Sequence, residues 1–183
     1  YTFSSDQAGT ITYGGSCSSS TTSAISGNNT ITLNSLNDGT YSDCTIRVTN
    51  ASGYVSDSIT ITSFVVDLSV ATLAEVTAVT TPTNDSTPNY TFSSDQAGTI
   101  TYGGSCSSVT TSAISGNTTI TLISLSDGTY SDCTVTVTDT ASNSVTLNMS
   151  SFTVDTTAPY VTEFEISDTL LKVGETMTVD LEF

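Results

Sequence analysis

A near-exact internal repeat constrains this chain more than any other feature. Residues 1–49 and 90–138 align without a gap at an offset of 89, with six differences: Ser20/Val109, Asn29/Thr118, Asn34/Ile123, Asn37/Ser126, Ile46/Val135 and Arg47/Thr136. The chain is therefore an array, and the unit to explain is a module of 89 residues. Its 183 residues divide into module 1 at 1–74, module 2 at 75–157 and a remainder at 158–183.

Apolar residues tend to alternate with Ser and Thr along short runs, as in Tyr1 and Phe3, Ile11 and Tyr13, Ile31 and Leu33, and Ile46 and Val48. Turn clusters separate the runs at Asp6–Gly9, Gly14–Gly15, Gly27–Asn29, Asn37–Gly39 and Asn50–Gly53. No window has a helical period. Short alternating strands at this spacing predict an all-β class, with the apolar member of each pair facing an inner layer. Charged residues are only 11% of the chain, too few for a disordered acidic tail.

Eighteen acidic side chains face only Arg47 and Lys172, with no histidine, for a formal charge of −16. Nucleic acid and anionic membranes are repelled by such a chain. No run of 18 apolar residues offers a helical membrane span. Without histidine, and with one lysine and one arginine, nucleophile–base pairs have almost no material. The expectation is no enzyme.

Cys17 and Cys44 are matched by Cys106 and Cys133 at the same separation. One pair per module reads as an intramodule disulfide, since a metal site needs further ligands that the sequence does not supply. Closing such a loop stabilises a module by about 3–4 kcal/mol in the chain-entropy model. Persistent disulfides place the chain in an extracellular or periplasmic setting.

The stretches LNDGTYSDCTIRVTNASG and LSDGTYSDCTVTVTDTASN resemble the E–F corner, F strand and F–G turn of bacterial immunoglobulin-like repeats, and SFTVDTTAP at Ser151–Pro159 is similar to their interdomain junction. The resemblance implies tandem antiparallel Greek-key sandwiches of a large surface adhesin. It puts B at Tyr1–Ser5, C at Thr10–Tyr13, E at Thr30–Leu36, F at Asp43–Thr49 and G near Ser58–Val66. Module 2 would carry A near Glu75–Thr80, B at Tyr90–Ser94, C at Thr99–Tyr102, E at Thr119–Leu125, F at Asp132–Thr138 and G near Val145–Val154. Module 1 lacks strand A, and residues 158–183 look like strands A and B of a third, diverged module. Unlike antibody-type domains, the disulfide would join the end of C to F.

On this mapping two modules in series bring Asp38 and Asp67 near Asp95 and Asp139, with Asp127 and Asp155 playing the same part at the next junction. Such a loop cluster is a candidate calcium site, and aspartates also populate turns for local hydrogen bonding. The implied function is a rigid spacer in cell adhesion whose partners are neighbouring modules. Two alternatives stand beside it. One is a fibre of identical chains joined by donor-strand addition through Tyr160–Phe183. The other is a multivalent glycan- or ice-binding module using Thr-x-Thr runs such as Thr10–Thr12 and Thr99–Thr101.

Overall fold

The computed structural model describes residues 1–166, 172–176 and 179–182, and among them the chain is strand and turn without a helix. The tail segment expected to supply a third pair of strands lies in part outside the described residues. Contacts gather the chain into two compact units, Tyr1–Ala71 with Thr138–Val145, and Thr72–Val137 with Thr146–Phe183.

Unit 1 contains β1 (Thr2–Ser5), β2 (Gly9–Gly14), β3 (Ser23–Ala24), β4 (Gly27–Thr30), β5 (Gly39–Tyr41), β6 (Thr45–Thr49), β7 (Ile59–Thr60) and β8 (Phe64–Val66). They form the sheets β1-β4, β3-β2-β6-β7 and β5-β8. The alternation does what it predicts. Phe3, Ile11, Ile31 and Ile46 are buried with the disulfide in one core, while Thr2, Thr10 and Thr12 face water.

The remaining strands are β9 (Leu73–Thr77), β10 (Asn89–Ser94), β11 (Gly98–Gly103), β12 (Ser112–Ala113), β13 (Gly116–Thr121), β14 (Gly128–Tyr130), β15 (Thr134–Thr138), β16 (Ser144–Asn148) and β17 (Phe152–Val154). They build β13-β10-β9, β12-β11-β15-β16 and β14-β17 around Tyr90, Phe92, Ile120, Leu122, Val135 and Phe152. A further pair, β18 (Glu163–Ile166) and β19 (Val179–Glu182), is antiparallel.

Four expected boundaries move. Strand E begins earlier, at Gly27 and Gly116, and ends at Thr30 and Thr121 instead of reaching Leu36 and Leu125. Beyond β4, Ser18 and Ser19 compete for the chain: Asn34 N donates to the Ser18 carbonyl at 2.8 Å and Ser19 Oγ to the Thr32 carbonyl at 2.6 Å. Strand A starts at Leu73, ahead of Glu75. Strand F starts at Thr45 and Thr134, because the preceding Asp and Cys belong to the disulfide turn. Strand G is two strands on different sheets, β7 against β6 and β8 against β5. The switch falls at Ile61, whose N–H donates to the Cys44 carbonyl at 2.9 Å; Met149 makes the matching bond to Cys133 at 3.0 Å. The partners of β8 and β17 are the Gly-Thr-Tyr strands β5 and β14, which the sequence reading counted as a corner. Tyr41 stacks on Phe64 and Tyr130 on Phe152, each at 5.4 Å between ring centroids.

Candidate functional site

The disulfide turn is the same in both units. Gly15 (φ 74°) and Gly104 (φ 71°) occupy the left-handed region, and a Cβ on Gly15 would lie 2.1 Å from the Asp43 carbonyl oxygen. That close approach sets Cys17 beside Cys44 and Cys106 beside Cys133, with 5.2 Å between Cα atoms in each pair. Both bridges run from the loop after the C strand to the residue just before F. Ser16 Oγ donates to Asp43 Oδ2 at 2.8 Å, and Ser105 Oγ to Asp132 Oδ2 at 2.9 Å. These hydroxyls, with the serine amides behind them, hold both aspartates below the usual carboxylate range.

Each of the six aspartates named for calcium accepts at least one backbone N–H. Asp38 Oδ1 accepts Leu68 N at 2.6 Å, Asp67 Oδ1 accepts Ser69 N at 3.1 Å, and Asp95 Oδ1 accepts Thr72 N at 2.7 Å. Asp139 Oδ1 caps its own turn through Ala141 N at 2.8 Å and Asn143 N at 2.9 Å. Within unit 1, Asn143 Nδ2 links Asp139 Oδ2 to the Asp67 carbonyl, 3.0 Å to each. Asp127 and Asp155 meet around Thr157, which gives its hydroxyl to Asp127 Oδ2 at 2.6 Å and its N–H to Asp155 Oδ1 at 3.1 Å. Hydrogen bonds lower the pKa values of Asp95, Asp127 and Asp139, led by the Thr72 amide, the Thr157 hydroxyl and the Asn143 side chain respectively. Among the described residues no group of three acidic or cysteine side chains converges for a metal. A calcium shell needs six to eight oxygens. The geometry is that of capped turns.

Sequence reasoning missed the residues that join the start of unit 2 to β17 and the turn before it. Glu75, on β9, accepts Ser150 N at 2.9 Å through Oε2 and Ser150 Oγ at 2.7 Å through Oε1. Farther along, Thr83 pairs in parallel with Val154: Thr83 N donates to the Thr153 carbonyl and Asp155 N to the Thr83 carbonyl, both at 2.9 Å. Thr153 N donates to Thr81 Oγ1 at 3.0 Å. Burial pushes the Glu75 pKa up, but the Ser150 bonds outweigh it and leave it lowered. Beside it the Tyr90 hydroxyl is buried and, among the described residues, has no hydrogen-bond partner. Its pKa is raised, first by burial and then by the Glu75 charge. The signal for Glu75 was its parity: along LAEVT, Leu73 and Glu75 share the inward side while Ala74 and Val76 are exposed.

No curated protein matches the chain. One family model does: residues 74–156 match the bacterial Ig-like domain, a stretch that runs from β9 to just past β17.

Proposed function

We propose that the chain is a load-bearing spacer: tandem immunoglobulin-like modules of a secreted bacterial surface adhesin, structural and not catalytic. The observation that carries the reading is the cross-linking in unit 2 of the segment through which the chain enters, residues 72–83, to the segment through which it leaves, residues 150–155. Because Thr83 and Val154 pair in parallel, tension on the two ends slides these segments past each other. Their bonds then resist together in shear and do not open one at a time. The disulfides add a limit, since the residues between Cys106 and Cys133 stay shielded from extension while the bridge is intact.

Single-molecule pulling on the whole chain tests this. Unit 2 should unfold at a distinct force peak that falls in Thr83→Pro, which lacks the N–H bonded to Thr153. Reduction should release an extra length of about 90–100 Å, the reach of the 27-residue span behind the disulfide. Unfolding of unit 2 without a resolvable peak, or an unchanged peak in Thr83→Pro, would reject the load-bearing role. Calcium stiffening through Asp38, Asp67, Asp95, Asp139, Asp127 and Asp155 is a separate proposal. It requires a rise in melting temperature on adding calcium chloride that chelation reverses and that Asp67→Asn diminishes.

A further inference from the structure

An Asp-Gly step stands at the same place in each unit, Asp38–Gly39 at the entry to β5 and Asp127–Gly128 at the entry to β14. Both steps are exposed. An aspartate before a glycine holds an electrophile and a nucleophile together, since its carboxyl and the glycine backbone nitrogen can close a succinimide ring within the chain. A Cβ on the following residue crowds that closure, and glycine has none. The surroundings are open as well. A Cβ added at Gly39 would meet nothing nearer than a Tyr41 ring carbon at 4.0 Å, and one at Gly128 would meet nothing within 4 Å.

The two steps differ in the hold on the carboxylate. Asp38 Oδ1 accepts Leu68 N at 2.6 Å, its one hydrogen bond among the described residues. Asp127 is held at both oxygens: Oδ1 accepts Thr156 N at 2.8 Å and the Thr156 hydroxyl at 2.7 Å, and Oδ2 accepts the Thr157 hydroxyl at 2.6 Å. Leu68 and Ser69 follow Asp67 as Thr156 and Thr157 follow Asp155. Leu68 has no hydroxyl to give, and the Ser69 hydroxyl goes to Asp67 at 2.5 Å instead.

We propose that Asp38–Gly39 is a site of spontaneous isoaspartate formation, and that the threonine hydroxyls protect Asp127–Gly128 from the same reaction. The Gly39 nitrogen attacks Cγ of the protonated Asp38 carboxyl and forms the N–Cγ bond. The Cγ–OH bond breaks, and the hydroxyl leaves with the amide proton as water. Water then adds to one of the two ring carbonyls. Breaking N–Cγ restores aspartate, whereas breaking the original peptide bond leaves isoaspartate, with the chain routed through Cγ and the former main-chain carbonyl now a carboxylate. No redox change occurs and the charge is unchanged. To react, the carboxyl must leave its donors and take a proton. Three bonds to the ionised form oppose this at Asp127, where the Thr157 hydroxyl leads in holding the pKa down. At residue 38 the added backbone carbon displaces the carboxylate that Leu68 uses and the start of β5, where Gly39 pairs with Val66. The inference goes beyond the spacer role and does not depend on it.

The test ages the full chain in mildly acidic buffer made with heavy-oxygen water. Peptide mapping with electron-transfer fragmentation distinguishes isoaspartate from aspartate at each site. Isoaspartate carrying the heavy oxygen should accumulate at residue 38 faster than at residue 127 by on the order of tenfold, the effect of two further hydrogen bonds to a carboxylate. Asp38→Glu, which would need a larger ring, should abolish the product there. Thr156→Val with Thr157→Val leaves Asp127 with the Thr156 N–H alone and should bring its rate toward that of Asp38. Synthetic peptides of residues 35–42 and 124–131, with no fold to hold the carboxylate, should isomerise at similar rates. The proposal fails if no isoaspartate forms at residue 38, or if residue 127 keeps pace with it in the folded chain. It fails if the peptides reproduce the folded difference, since Asn37 against Ser126 would then be the cause. It also fails if the valine pair, with its melting transition intact, leaves the rate at Asp127 unchanged.

Discussion

Units 1 and 2 share almost all of one stretch of sequence, and their local geometry is the same to within a few degrees and tenths of an ångström. The disulfides, the positive-φ glycines and the tyrosine stacks repeat. Burial repeats only in part. Tyr90 is 1% exposed and Tyr1 43%. Val154 is 1% exposed, whereas its counterpart Val66 is only half-buried, and Val137 is buried where Val48 is half-buried. No residue of the shared stretch accounts for Tyr90 or Val154. What unit 2 has in addition is β9 and residues 81–83, which cover the edge of β10 and pair with β17. Short-range sequence therefore decides turns, bridges and rotamer contacts here, while a strand outside the repeat decides how much of the core is dry. Since apolar burial is the leading favourable contribution to folding, two modules of nearly equal sequence are expected to differ in stability.

The largest effect that can break this comparison is loss of a bridge. Cys106→Ala with Cys133→Ala should destabilise unit 2 by about 3–4 kcal/mol, and Cys17→Ala with Cys44→Ala should cost unit 1 the same, because the loops are equal. The consequences differ: unit 1, with less core, should lose its cooperative transition while unit 2 keeps one. Residue-resolved hydrogen exchange on each double variant reads this, and equal survival of both units would contradict the ranking. Next come Gly15→Ala and Gly104→Ala, each expected to cost about 2–3 kcal/mol from the positive φ and the approach of the Asp43 or Asp132 carbonyl. The two should match, since β9 does not reach either turn. A clear difference in denaturation midpoints would mean that the edge strand also supports the disulfide turn.

Glu75 is where the comparison can be sharpened, because its bonds to Ser150 lie within unit 2. Glu75→Gln should weaken unit 2 by about 1 kcal/mol at neutral pH, a modest figure for a charge-assisted bond at a half-exposed site, and leave unit 1 unchanged. The folded-state pKa is lowered from the ordinary value of 4.5, so the stabilisation is fully present above that value and is lost as pH falls through the folded one. Urea midpoints taken from pH 7 down to pH 3 should drop more steeply below about pH 4.5 for the parent than for Glu75→Gln. Parallel curves would remove Glu75 from the clamp.

Much of this architecture was legible before any coordinates, for identifiable reasons. The repeat exposed the module, the matched cysteines exposed the bridges, and period-two alternation exposed β1, β2, β6, β10, β11 and β15. The two-residue strands β3 and β12 carry too little pattern to see, and β5 and β14 read as turns because a Gly-Thr-Tyr segment pairs only once β8 or β17 lies beside it. The break of strand G at Ile61 and Met149 depends on the carbonyls of Cys44 and Cys133, a nonlocal fact. The aspartates were the harder case. Turn capping and calcium ligation select the same residue at the same loops, so composition alone does not separate them. Glu75 was passed over because an acidic residue in a strand reads as solvent-facing until its parity with Leu73 is taken seriously.

The finest test uses a difference inside the repeat itself. Asn29 is buried and makes three hydrogen bonds: Oδ1 accepts Ile25 N at 2.8 Å, and Nδ2 donates to the Ile25 carbonyl at 2.9 Å and the Gly27 carbonyl at 3.0 Å. At the same place Thr118 gives one longer bond, accepting Ile114 N at 3.3 Å. Asn29→Thr should therefore cost unit 1 about 1 kcal/mol, with two carbonyls losing their donor. Thr118→Asn should return part of that amount to unit 2, less than the full value because the larger amide must enter a slot already packed for threonine. If the two exchanges give equal and opposite shifts in denaturation midpoint, the turn acts independently of the rest of each module. A larger loss in unit 1 than gain in unit 2 would instead show that β4, with β1 as its one partner strand, depends on this turn more than β13 does.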